Sequence, residues 1–210
     1  IANLISPDLV TFLRFLIAFI AIAILILYQS KFCFLKYLSI GRSLILGALI
    51  SIYFITMFEG LKTASSTSMA VVFTLTPLLA GFFDLIFSNR VMSKKVWITV
   101  VVAATGALWI IFDGNIQNFI NFKVGYGEKL FFIGCICHAL YAALIPKFNN
   151  GEPAIIQTFG TLISGIIILG LFSNKEIIYY SWIDFPVIVL LTILYLAIFA
   201  TAASFFLIQY

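Results

Sequence analysis

Seven long apolar runs, separated by short polar connections, constrain this chain more than any other feature. They cover 7–29, 43–62, 67–88, 95–112, 129–147, 153–172 and 185–210. A helix crossing the roughly 30 Å hydrocarbon layer of a bilayer needs about 20 mostly apolar residues, and each run meets that length. A soluble domain carries roughly 45–50% apolar and about 25% charged residues. Here the figures are 63% and 10%, with a mean hydropathy of +1.18, so the solvent for these runs is lipid. A transmembrane barrel is excluded, because its strands alternate apolar and polar residues and these runs are continuously apolar. The expected fold is an all-α membrane protein, a helical bundle of about seven transmembrane helices.

The connections predict how the helices thread. Run one opens with Ser6-Pro7-Asp8, a helix-start signal with proline in the first turn. The first, third and fifth connections carry Lys31, Lys36 and Arg42, then Arg90, Lys94 and Lys95, then Lys147. The opposite connections carry only Lys62, Lys123, Lys129 and Lys175. Basic residues concentrate on the cytoplasmic side, so the first run enters from outside. The formal charge of +4 is thereby a topology signal, and no basic face interleaved with aromatics in a polar setting points to nucleic acid. Small residues recur inside the runs, as in Ala103 to Gly106 and Gly160 to Gly165, and they let helices pack closely.

An internal echo links the two ends. The stretch from Pro7 to Ala18 resembles that from Pro153 to Ser164 at an offset of 146 residues. On the charge topology these two segments run in opposite directions, as an inverted repeat requires. The chain begins at Ile1 and stops at Tyr210 within an apolar run, which sets the expectation of a fold truncated at both ends. Cys33, Cys135 and Cys137 lie in or beside apolar runs. Cys135 and Cys137 are two apart on a helix and point to different sides, so neither a disulfide framework nor a metal site is expected from them.

A family resemblance rests on particular residues. Gly60-Leu61-Lys62-Thr63-Ala64-Ser65-Ser66, followed by Ala70 through Thr76-Pro77-Leu78, resembles the EamA-type transporters of the drug/metabolite transporter superfamily. Arg14 in the first run, the basic turn Asn89 to Lys95, and Thr105-Gly106-Ala107-Leu108 near the end of the fourth run fit the same pattern. The resemblance implies ten helices in two inverted five-helix halves. This chain would then hold helices two to five in 1–115 and six to eight in 116–210. It departs from the family where Asn89 replaces the usual glutamate after the proline helix.

Ionisable and polar groups inside a membrane are costly and are therefore candidates for function. Arg14 lies about 10 Å into its helix, where it could attract a carboxylate or snorkel to the headgroups. Glu59 could hold a proton or an amine, or simply pair with Lys62 one turn away. Asp84 is expected to pair with Arg90 or Lys94. His138, the single histidine, falls near the midplane and could relay protons or hold a polar solute group, with Tyr141 extending the same polar face. The bland alternative is a hydrogen bond to a neighbouring helix. Cys135 and His138 share a face, but two ligands are too few for a metal site. Pro77 removes a backbone hydrogen bond at mid-membrane, and Thr74 and Thr76 could satisfy the freed groups. Thr201 and Ser204, with the aromatic residues Phe73 and Tyr195, would suit an uncharged or zwitterionic amphipathic solute.

The function expected is a carrier of small metabolites, such as amino acids, by alternating access, with export or exchange as its direction. The resemblance places it in the inner or plasma membrane. Expected partners are a small-molecule solute and the bilayer, with protons as candidate coupling ion and a second copy as candidate dimer partner. No cofactor and no metal are expected. The alternatives are a purely structural membrane protein or a membrane-embedded enzyme. The enzyme reading is not favoured: there is no HExxH, and Ser164-Gly165 lacks the glycine two positions before the serine that a nucleophile elbow needs. A retinal receptor fails too, because run 185–210 contains no lysine.

Overall fold

Each apolar run becomes a helix in the computed structural model, which describes residues 5–28, 38–88, 93–112, 114, 117, 124–180 and 186–209. In chain order the elements are α1 (Pro7–Tyr28), α2 (Ile40–Leu61), α3 (Ser66–Phe73), α4 (Thr76–Ser88) and α5 (Lys94–Ile111). They continue with α6 (Tyr126–Phe148), α7 (Ala154–Phe172), the short α8 (Asn174–Tyr179) and α9 (Val187–Tyr195). A π-helical segment (Leu196–Ala203) then leads into α10 (Ser204–Gln209). Among the described residues, six stretches are long and apolar enough to cross a membrane: α1, α2, Ser66–Phe87, α6, α7 and Val187–Ile208. The run 95–112 also forms a helix, α5, whose 18 residues reach about 27 Å at 1.5 Å per residue. Cys33, Asn89 and Arg90, and the lysines at 31, 36 and 123, lie outside the described residues.

Local chemistry sets the ends and breaks of these helices. Ser6 Oγ accepts from the Leu9 N–H at 3.3 Å, and Pro7 occupies the first turn, where a missing N–H costs nothing. Ser65 caps α3 by accepting from the Ser68 N–H at 3.1 Å. The proline run is two helices: it breaks at Thr74–Leu75, directly before Pro77. Thr74 Oγ1 donates to the Val71 carbonyl at 2.6 Å, while the Thr76 hydroxyl is buried without a hydrogen-bond partner.

The chain divides into two compact units, residues 1–51 with 148–210 and residues 52–147. In the first, α1 packs along α7. Phe19 stacks on Phe159 at 5.1 Å, a Cβ on Gly165 would lie 2.7 Å from Phe15 Cε1, and one on Gly170 would lie 3.1 Å from Phe12 Cε2. Residue numbers rise on one helix as they fall on the other, so the two echoing helices are antiparallel. The opening residues of α2 run parallel to α7, with Ser43 against Gly160 and Gly47 against Ser164 and Gly165. The last span joins through Phe205, whose ring meets Phe15 edge-on at 5.6 Å. Ile5, Leu9, Val10, Val189 and Ile193 form the core at one end, where Ser6 also hydrogen-bonds Glu176.

In the second unit, α6 runs antiparallel to the later part of α2, because Gly60 meets Gly127 and Thr56 meets Gly134. A Cβ on Gly60 would sit 2.8 Å from the Gly127 carbonyl oxygen, so only glycine permits this approach. Ser68 Oγ donates to Glu128 at 2.8 Å, and Lys147 Nζ lies 4.9 Å over the Phe87 ring. Gly60–Gly127 and Ser68–Glu128 join helix ends that the charge topology assigns to one side, and Lys147–Phe87 joins ends that it assigns to the other, so the packing of this unit has the alternating directions that the topology requires.

Candidate functional site

Helical spacing on α6 builds the site. Phe131, Cys135, His138 and Tyr141 follow one another at intervals of four, three and three residues, which places them along one face. Phe131, Cys135 and Tyr141 are fully or nearly fully buried. Gly134 lets this helix close on α2, where Thr56 Oγ1 is its nearest neighbour and the Tyr53 carbonyl would lie 3.3 Å from an added Cβ. That approach delivers the Tyr53 ring. From α3 comes Phe73, the last residue before the break at Pro77, alongside Met69 and Val72.

Four rings meet here. His138 lies 4.8 Å from Tyr53 and 5.6 Å from Phe73, the latter edge-on. Phe131 closes the group at 5.9 Å from Tyr53 and 6.4 Å from Phe73, and Tyr141 flanks His138 at 6.3 Å. Such separations are those of favourable aromatic pairs. Two atoms here are not accommodated: His138 Nδ1 and Thr76 Oγ1 are buried and have no hydrogen-bond partner. A buried polar group left this way costs about 1–3 kcal/mol, so a donor or acceptor brought to it by a solute or a proton recovers energy there. The Thr76 hydroxyl and the Cys135 thiol, one turn from His138, extend the polar edge of the cluster. Among the described residues no three His, Cys, Asp or Glu side chains converge as a metal would require.

The structure gathers some of the expected site residues and disperses others. Phe73, Thr76, His138 and Tyr141 lie in or beside the ring cluster of the second unit, and Pro77, in the same unit, is exposed in the first turn of α4. Thr74 is exposed and bonded to its own helix. Glu59 pairs with Lys62 at 2.5 Å near the end of α2, both side chains reaching solvent or headgroups. Arg14, Tyr195, Thr201 and Ser204 belong to the first unit. Arg14 is buried, its guanidinium 5.8 Å from the Phe15 ring centroid. Thr201 is fully buried in the π-helical segment and donates to Leu196 O at 3.1 Å. Ser204 donates to Ala200 O at 2.8 Å, and Tyr195 is exposed against Phe199.

Sequence reasoning missed Tyr53 and Phe131. The seven-residue spacing from Phe131 to His138 was a usable signal for one of them, since it repeats two helical turns. Tyr53 offered none, because its place depends on α2 meeting α6.

Residues 1–112 match the EamA-like transporter family. The uncharacterized transporter YyaM of Bacillus subtilis (strain 168) is 28% identical over 151 residues, which is 70% of this chain and 48% of that protein. The chain thus spans about half the length of the curated relative it matches. No solved structure matches.

Proposed function

The chain belongs to the EamA-like transporter family, and from that premise we propose that it carries small amphipathic metabolites, amino acids or similar solutes, by alternating access. It is a multi-pass membrane protein, so a solute path has to run among its own helices. The observation that carries the proposal is His138 Nδ1, a buried and unmatched polar atom inside a cluster of four rings. Polar atoms in a membrane interior are normally paired, and one that is not is a place where a ligand completes the structure. The surrounding rings favour a solute with an apolar or planar body. The absence of a formal charge on Tyr53, Phe73, Phe131 and Tyr141 favours one that is neutral or zwitterionic. Protons are the natural coupling ion in this reading, because imidazole is the group that binds them near neutral pH.

The inverted-repeat organisation, with halves at 1–115 and 116–210, belongs to the same proposal. Its support is that the echoing segments beginning at Pro7 and Pro153 form antiparallel helices packed on each other. Two halves of opposite direction around one site are the architecture from which alternating access arises.

The test is solute counterflow in proteoliposomes holding the full-length protein, with pooled labelled amino acids and nucleosides. Saturable exchange that falls in His138→Ala, with folding retained, supports the reading. Exchange indifferent to His138→Ala removes His138 from the site. A folded protein that exchanges no member of the pool refutes the proposed solute class.

A further inference from the structure

Arg42 stands at the start of α2 and is held by a single turn of chain between α6 and α7. Its Nη1 donates to the Phe148 carbonyl, the last residue of α6, and lies 3.3 Å from Glu152 Oε1. Turned so that its oxygen faces the guanidinium, the Asn150 amide accepts from Nη1 at 3.1 Å and Nη2 at 3.3 Å. The turn is built independently of the arginine. Gly151 takes φ +91°, its N–H donates to Asn149 Oδ1 at 2.7 Å, and the Asn150 N–H donates to Glu152 Oε2 at 2.8 Å. Release of Arg42 therefore leaves the turn's own hydrogen bonds in place. The Glu59–Lys62 pair, by contrast, lies within one helical turn and joins no two elements.

We propose that Arg42 and Glu152 form a latch that closes the cytoplasmic ends of α2 and α7 and opens when solute passes on that side. The inference rests on the carrier reading, under which α2 belongs to one half of the repeat and Glu152 with α7 to the other. Three observations support a latch over a permanent staple. The Arg42 side chain is 25% exposed while Glu152 is 7% exposed, so water already reaches the cation and can replace its partners. The pair also lines a small, mostly apolar recess, together with Leu38, Ser39, Ser43, Leu46, Ile156 and Gln157. Along the seam Ser43 meets Gly160 and Gly47 meets Ser164, and the one larger side chain against these glycines is Leu38, on Gly160 at the mouth. Helices joined this way separate without unthreading rotamers, and the charge pair at the mouth is the directional lock.

Thiol accessibility in the full-length protein tests the latch directly. Cys33, Cys135 and Cys137 are replaced by serine, and Leu46→Cys, fully buried behind the pair, reports opening. Inside-out vesicles are treated with a membrane-impermeant sulfonated thiosulfonate, so that reagent meets the cytoplasmic face. Arg42→Gln and Glu152→Gln are each expected to raise the labelling rate at least about tenfold, the population change that loss of one charge-assisted hydrogen bond brings. Arg42→Lys keeps the charge and is expected to stay within about threefold of the parent, on the same scale. Equal rates with the pair intact and broken overturn the latch. So does faster labelling that appears equally at Val189→Cys, a buried position of the other core cluster, because that would be general unfolding. Counterflow on the parent, Arg42→Gln and Glu152→Gln, each with its native cysteines retained, separates the two claims. Labelling that responds in a protein that exchanges no solute sinks the carrier reading alone, whereas normal exchange with unresponsive labelling sinks the latch alone.

Discussion

Replacing Gly47 by alanine tests the seam between α2 and α7 most directly. A Cβ at this position would meet the Ser164 Cβ, and would lie 2.8 Å from the Gly165 nitrogen and 3.0 Å from the Ser164 carbonyl carbon. Carbon contacts are comfortable from about 3.5 Å, so the helices must part by several tenths of an ångström. Two of the three obstructing atoms are backbone, which no rotamer change can move aside. Overpacking of this kind costs about 1–3 kcal/mol, and the upper half of that range is expected. Alanine returns up to about 1 kcal/mol through helix propensity, leaving a net loss of about 1–2 kcal/mol. At about 2–4 °C per kcal/mol for a chain of this size, Gly47→Ala lowers Tm by roughly 2–8 °C. Gly106→Ala supplies the control, because a Cβ there meets nothing within 4 Å and the propensity gain stands unopposed. Its Tm rises by up to about 4 °C. Thermal unfolding of the detergent-solubilised full-length protein, followed by tryptophan fluorescence, reads both. A Gly47→Ala protein that melts at or above the parent would refute the close approach of these helices.

Further expectations follow from single contacts. His138→Phe keeps the ring stacking and removes the unmatched Nδ1, so it should raise stability by up to about 1–3 kcal/mol while abolishing exchange; a destabilised protein with normal flux would contradict both halves. Pro77→Ala restores a backbone N–H at the break after Phe73, and should raise Tm and slow exchange by letting α3 and α4 fuse; unchanged counterflow kinetics would show that the break has no part in transport. Glu59→Gln removes a partly exposed pair, so the loss should be no more than about 0.5 kcal/mol and should vanish in about 1 M salt; a larger, salt-insensitive loss would place Glu59 in a buried network.

The sequence was most informative where lipid imposes a local rule. Each crossing needs its own run of apolar residues, so the runs beginning at Pro7 and Pro153 could be read within a window, and α1 and α7 begin at Pro7 and Ala154. A bend in the proline run was legible for the same reason, since Pro77 removes a hydrogen bond whatever surrounds it, but the run reads as one helix and the structure divides it at Thr74–Leu75. The site was only half legible. His138 stands out because almost everything around it is apolar, and Tyr141 follows from helical spacing. Tyr53 and Phe131 carry equal weight in the ring cluster yet look like any other aromatic residue in an apolar run.

The Arg42–Glu152 pair marks a different boundary of sequence reading. Arginine in a connection already had a sufficient explanation as a topology signal, and Glu152 lies 110 residues away in a turn with no motif. Their meeting depends on Ser43 fitting Gly160 and Gly47 fitting Ser164, a register set by the shapes of small side chains along two helices. Burial then changes what the charges do. In water such a pair contributes little, but with Glu152 almost wholly enclosed, removing Arg42 leaves a carboxylate in a site it cannot easily occupy alone. A residue that the topology rule treats as one of several interchangeable cations is thus made distinct by packing. Lys147 marks the limit of that argument, because it comes from the same side of the membrane and lies over the Phe87 ring instead of against an acid. Which cations direct insertion and which hold helices together is therefore decided by the helix seams, and the seams are written in glycine and serine.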